Sequence, residues 1–200
     1  MPRTSRGCGW WRSLRGGSAR ERAWTTRPTY AERVTDFVIR AARPEEADEL
    51  GELAFRSKAH WGYDAAFMES CRDELKIPAD QVTAKRTYVA VSRGPEAGPG
   101  VAGELGRRIL GFGTIEGEPP AGELGMLFVD PPAIGRGVGS ALFAHLSAVA
   151  GEAGFHRLTI ASDPYAEPFY LAKGAVRIGG VPSGSIPGRT LPLLALALAL

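Results

Sequence analysis

The segment that most constrains the fold is Val129-Asp-Pro-Pro-Ala-Ile-Gly-Arg-Gly-Val-Gly139. A β-prone run, Glu123–Val129, ends against two prolines, and three alternating glycines lead into a helical pattern. From Gly137 to Gly151, Leu142, Phe143, Leu146 and Val149 share one face at helical spacing. Strand, glycine turn and amphipathic helix in direct succession make an anion cradle. The first amides of the helix point at one spot, and the helix dipole adds partial positive charge there. Gly137 and Gly139 have no Cβ, so a pyrophosphate can approach the backbone closely, with Arg136 as a source of further charge.

Two familiar phosphate sites do not fit. A P-loop needs a lysine beside its last glycine, whereas Gly139 is followed by Ser140 and Ala141. A dinucleotide fingerprint needs a glycine where Ser140 stands. Asp163 sits 24 residues past Gly139, as a ribose-binding acid does, but only 37 residues follow it. That is too few to complete a doubly wound sheet.

The flanking sequence reads as one domain. Phe37–Ala42 is a strand, and Arg43-Pro-Glu-Glu46 opens a helix whose Leu50, Leu53 and Ala54 keep one face. A second helix is predicted from Asp64 to Leu75, then strands at Thr87–Val91, Arg108–Ile115, Glu123–Val129 and His156–Ala161. Gly94–Gly103 reads as a loop or hairpin. Pro164–Lys173 reads as a short helix stopped by Gly174, followed by strands at Ala175–Val181 and Arg189–Leu198. The order β-α-α-β-β-β-α-β-α-β-β predicts a mixed α/β (α+β) sheet with helices on its faces.

Composition narrows the classes. The chain is 44% hydrophobic and 23% charged, which suits a soluble globular domain. Its net charge of +2 is uneven: residues 1–35 hold eight Arg and two Glu, and the rest is net acidic. Residues 1–35 therefore read as a basic, disordered extension, with a transit peptide or a polybasic arm as alternatives. The domain, residues 36–200, carries no basic stripe for nucleic acid. Leu191–Leu200 is ten residues of apolar sequence, too short to cross a bilayer, so no membrane partner is expected. Cys8 and Cys71 make neither a disulfide framework nor a zinc site, which fits free thiols in a reducing cytoplasm and no metal.

Over Val38 to Leu198 these residues resemble the GNAT superfamily of acetyl-CoA-dependent N-acyltransferases. That family's motif is a strand, Arg/Gln-x-x-Gly-x-Gly/Ala, then a helix; here Gly137-Val138-Gly139 supplies the glycines and Ile134 replaces the Arg/Gln. A later pattern, Asn-x-x-Ala-x-x-Phe-Tyr…Gly-Phe, matches Asp163-Pro-Tyr-Ala166-Glu-Pro-Phe169-Tyr170…Gly174-Ala175, with Asp for Asn and Ala175 for the aromatic. The resemblance implies a mostly antiparallel sheet of about seven strands flanked by about four helices. It implies acetyl-CoA as co-substrate, bound by Leu127, Phe128, Val129, Ile134, Gly135, Arg136, Gly137, Val138, Gly139, Ser140, Asp163 and Phe169.

It further implies that a primary amine of a small-molecule acceptor attacks the thioester directly. Tyr170 then takes the place of the acid that protonates the leaving sulfur. A main-chain N–H around Leu127–Val129 faces the carbonyl oxygen, and the Phe128 and Val129 backbone pairs with the pantetheine arm. Glu123, the only acid in its strand, takes the place of the base; Gly125, two residues on, has no side chain. The acceptor pocket falls on His60, Trp61, Tyr63, Ser183 and Arg189. Two alternatives stay open: an acyl-CoA sensor without turnover, and a dinucleotide-binding module. The chain is expected to act as a monomer or homodimer.

Overall fold

The structure, a computed structural model, describes residues 37–93 and 107–198. The Gly94–Gly103 loop or hairpin, Cys8 and the basic extension lie outside these residues. Seven strands form one sheet: β1 (Phe37–Ala41), β2 (Tyr88–Ser92), β3 (Ile109–Glu118), β4 (Ala121–Val129), β5 (Arg157–Ala161), β6 (Val176–Pro182) and β7 (Thr190–Ala197). Their spatial order is β1-β2-β3-β4-β5-β7-β6. Every pairing is antiparallel except β4 with β5.

Five helices cover the two faces. On one side lie α1 (Ala47–Ala59), α2 (Ala65–Ser70) and α3 (Gln81–Ala84); on the other lie α4 (Val138–Glu152) and α5 (Glu167–Ala172). A 3-10 turn at Pro44–Glu46 leads into α1, whose Leu50, Leu53 and Ala54 are all fully buried. This is the i, i+3, i+4 face expected from the sequence.

Two helices are shorter than the sequence predicts, and one is new. The second helix stops at Ser70, where Cys71 closes it and turns follow. Cys71 and Leu75 remain buried, so the apolar face persists although the backbone tightens. The Asp163 carbonyl accepts from the Ala166 amide at 2.9 Å and the Asp163 carboxylate from the Tyr165 amide at 3.1 Å, so a turn precedes α5. The four-residue α3 is too short to leave a periodic pattern. Among the described residues no helix is long and apolar enough to cross a membrane.

Glycines set how closely α4 docks. A Cβ on Gly111 would meet Leu142 Cδ1 at 3.2 Å, and one on Gly113 would meet Leu146 Cδ1 at 2.5 Å and the Met126 carbonyl oxygen at 2.9 Å. The leucines of α4 thus pack on bare strand backbone, and Leu142 and Leu146 are fully buried. On the other face, Thr114 and Glu116 alternate toward α1–α3.

The sheet opens in the middle. β4 pairs with β5 only from Ala121 to Glu123, against Arg157 to Thr159. The β3–β4 register also shifts: Gly113 faces Leu127, but Ile115 faces Leu124. Gly125 and Met126 therefore stand opposite Thr114 alone, which is a β-bulge. The Thr114 hydroxyl holds it, accepting from the Met126 amide at 2.9 Å. Beyond the bulge β4 bends away from β5. Gly113→Ala should lower unfolding stability by about 1–3 kcal/mol, read by urea titration, because the new methyl meets backbone as well as Leu146. A variant as stable as the parent would show that α4 can retreat freely.

Candidate active site

The gap between β4 and β5 is the mouth of a cavity of about 540 Å³ that runs through the sheet. Leu124, Ile160, Phe169 and Tyr170 line it from the α4–α5 side, and Ser57, Lys58 and Trp61 from the end of α1. Along its floor, β4 runs from Leu124 to Val129 with no strand partner on that edge among the described residues. The Asp130 amide donates to the Leu110 carbonyl on β3 at 2.9 Å. Alternation then turns the Leu127 and Val129 backbone toward the open edge and pairs that of Phe128 with β3. The open edge therefore offers Leu127 and Val129, and Phe128 contributes as lining.

Asp130 fixes the end of this strand. It is buried and carries Arg56, from α1, on Oδ1 at 3.2 Å; Arg108 pairs with its Oδ2. The two cations tie the exit of β4 to both the helix layer and the approach to β3.

The glycine turn follows directly. Gly135 and Gly137 have φ of 79° and 87°, a left-handed conformation that favours glycine, and nothing lies within 4 Å of a Cβ placed on either. Ala141 is the first residue whose amide returns into α4, to the Gly137 carbonyl at 3.0 Å. The amides of Val138, Gly139 and Ser140 precede it and sit at the positive end of a 15-residue helix. Gly139 lets the helix start approach β4: a Cβ there would meet Val129 Cγ2 at 3.3 Å. Open space, converging amides and no side-chain cap are what a diphosphate needs, so these residues fit coenzyme A.

Tyr170 projects from α5 into the same cavity. It is nearly fully buried, between Phe143 and Phe169. Burial, and then the negative charge of Asp163, push its phenol well above the usual tyrosine range. The shift favours the neutral phenol, so at about pH 7 it is an O–H donor.

Asp163 is occupied by protein. It accepts from the Tyr63 hydroxyl at 3.0 Å and from Arg189 at 3.3 Å, and Lys58 lies 3.5 Å away. Arg189 also donates to the Tyr63 oxygen at 2.7 Å. Burial, then the bond and charge of Asp163, push Tyr63 up to about 12, against the opposing Arg189. The cluster joins α1, the loops before α2 and α5, and the start of β7. Trp61 stacks on Tyr165 beside it, with ring centroids 5.6 Å apart.

Of the residues expected from the sequence, Leu127, Phe128, Val129, Ile134, Gly135, Gly137, Gly139, Ser140, Asp163, Phe169, Tyr170 and Trp61 line this one cavity. Tyr63 and Arg189 reach it through Asp163. The remaining five neither line it nor bond to Asp163. Val138 is buried in the core, and Arg136 lies outside the lining. His60 packs edge-on against Trp61 at the exposed end of α1. Ser183 serves the β6–β7 turn, accepting from the Ile186 amide at 3.3 Å. Glu123 stands before the gap, opposite Glu116 on β3 and Thr159 on β5. Partial burial and then the Glu116 charge raise its carboxyl, against Lys85. Sequence reasoning missed Lys58, Glu74 and Tyr165 in the lining. Lys58 and Tyr165 stand within three residues of expected ones; Glu74 had no such signal.

A second cavity, of about 500 Å³, lies at the start of α1 and takes in none of these residues.

Structures of known proteins share this fold. A GCN5-related N-acetyltransferase from Rhodopseudomonas palustris is 22% identical, with a TM-score of 0.60 over 82% of this chain and 97% of that one. The PaiA N-acetyltransferase from Thermoplasma acidophilum, in complex with coenzyme A, is 15% identical, with a TM-score of 0.59 over 80% and 98%. The ribosomal-protein-S18-alanine N-acetyltransferase from Escherichia coli is 15% identical, with a TM-score of 0.56 over 82% and 95%. No curated protein matches in sequence. The profile described as "Acetyltransferase (GNAT) family" matches residues 63–174, more than half of the chain, from the aromatic wall through the glycine turn to the end of α5. On that match, and with the split sheet and glycine-headed helix in register with it, the chain belongs to the GNAT acetyltransferase family.

Proposed function

We propose that the protein transfers the acetyl group of acetyl-CoA to a primary amine of a small-molecule acceptor, by direct attack of the amine on the thioester. The observation that carries this reading is the shared cavity: β4 along its unpaired edge, Gly137, Gly139 and Ser140 at the head of α4, and Tyr170 all line it. A fold relative that binds coenzyme A supports the choice of donor. Cytoplasmic acetyl-CoA is the donor pool that the reading assumes.

Each group has a distinct task. The head of α4 neutralises the diphosphate, and the Leu127 and Val129 backbone pairs with the amides of the pantetheine arm as an added strand does. Acetyl-CoA supplies the activated acyl group. A main-chain N–H of the open edge stabilises charge growing on the carbonyl oxygen. Tyr170 gives its proton to the departing sulfur. Its raised affinity for that proton keeps it a neutral O–H donor, hydrogen-bonded to the sulfur while negative charge grows there and the C–S bond breaks. Trp61, Tyr165 and Lys58 border the side from which the acceptor enters.

Calorimetry should show coenzyme A binding to the wild type, and Gly137→Ala should weaken it at least tenfold. The methyl enters the space meant for the diphosphate, and the left-handed backbone costs a further 1–2 kcal/mol, roughly, of stability. Tyr170→Phe should lower kcat by about 10²–10⁴-fold while leaving acetyl-CoA affinity within a few fold. Thiol release over a panel of amines reads the rate. Coenzyme A binding without release from any amine would leave the sensor reading instead.

A further inference from the structure

We infer that Glu116, on β3, is the carboxylate that takes the proton from the acceptor amine, reaching the cavity through the space that Gly125 leaves open on β4. This rests on the acetyltransferase reading above. Gly125 lines the cavity, at the bulge where β4 leaves β5. A Cβ on Gly125 would collide with Glu116 Oε1, and would lie 2.7 Å from Glu116 Cδ and 3.0 Å from Thr114 Oγ1. The missing side chain on β4 is thus replaced by a carboxylate from the neighbouring strand.

The two oxygens of that carboxylate are divided between tasks. Oε2 is held by Lys85 Nζ at 3.0 Å. Oε1 accepts from the Thr114 hydroxyl at 3.2 Å and takes the space that a side chain on Gly125, a lining residue, would fill. Thr114 is fully buried, and its oxygen accepts from the Met126 amide, so the same hydroxyl fixes both the bulge and the carboxylate. Glu116 keeps about 30% of its side chain exposed, enough for a water or an amine to reach it. The charged groups that face it are Lys85, after α3, and Glu123, on β4. Neither Glu116 nor Glu123 is itself in the lining; Glu123 stands at the paired end of β4, whereas the Glu116 carboxylate sits against Gly125, which is.

The proton count closes. An alkyl-ammonium gives one proton to Glu116 Oε1, directly or through water, and becomes a nucleophile. Its C–N bond forms as the C–S bond breaks, and the sulfur takes the Tyr170 proton. The second proton lost by nitrogen returns to Tyr170 through solvent, and Glu116 releases its own to bulk water. The net reaction yields amide, free thiol and one proton.

Three variants and three readouts test this. Glu116→Gln should lower kcat/KM for a primary amine about 10²–10⁴-fold at pH 7. The loss should shrink as pH rises toward the amine's own pKa, about 10.4 for an alkyl-ammonium, since free base then needs no acceptor. Coenzyme A affinity should stay unchanged. Glu116→Ala with Gly125→Glu, which returns the carboxylate to β4, should regain part of the rate. In the ligand-free protein, carboxyl NMR should show Glu123 titrating lower in Glu116→Gln than in the wild type, because the Glu116 charge helps to raise it. A loss equal at every pH, an unmoved Glu123 titration, or a loss seen in Glu123→Gln and absent from Glu116→Gln would overturn the assignment. If the wild type acetylates amines and Glu116→Gln matches it, only this inference fails; a wild type that binds coenzyme A yet acetylates nothing removes both.

Discussion

The bond from the Met126 amide to the Thr114 hydroxyl is the small interaction on which the site depends. A side chain there satisfies a strand amide that would otherwise seek a backbone partner. That substitution stabilises a bulge, the bulge bends β4, and the bend breaks its pairing with β5 after Glu123. An unpaired strand edge inside a protein is ordinarily a liability. Here it is the part of the molecule that can receive an extended, amide-bearing ligand. The head of α4 lies at the end of the same strand, so one deformation brings the open edge and the glycine turn to one cavity, as the proposed coenzyme site requires.

Charge is arranged around the opening with little left to chance. Asp130 locks the exit of β4 with two arginines, and Asp163 gathers Tyr63, Arg189 and Lys58 from three stretches far apart in sequence. Neither carboxylate is free to act on a substrate proton. Glu116 differs, since only one of its oxygens is engaged by a cation. Tyr170 stands alone among apolar rings, which suits a group that must donate and otherwise stay neutral.

Much of the fold was legible because its signals are local. The prolines and glycines of residues 131–139, the leucine face of α4 and the β-branched strands each follow from spacing within a dozen residues. The donor side of the cavity is written in that one continuous segment, and it was readable for the same reason. The acceptor side was not. His60 and Ser183 looked chemical in the sequence, but they serve a helix end and a turn. Asp163 looked like a ligand contact, and in the structure its carboxylate meets Tyr63, the Tyr165 amide, Arg189 and Lys58. Glu116 lies on a neighbouring strand, and its relation to Gly125 depends on a register shift that no periodicity encodes.

The row of bare positions at Gly111, Gly113 and Gly122 has a wider effect. With α4 and Phe155 resting on the main chain itself, that half of the domain has almost no slack in which to accept new side chains. New side chains are more easily taken up at the rim of the cavity, where Lys58, Trp61 and Tyr165 line it and Trp61 stacks on Tyr165. Under the proposed function, such changes would alter which recipient molecule fits while the glycine-headed helix keeps its place.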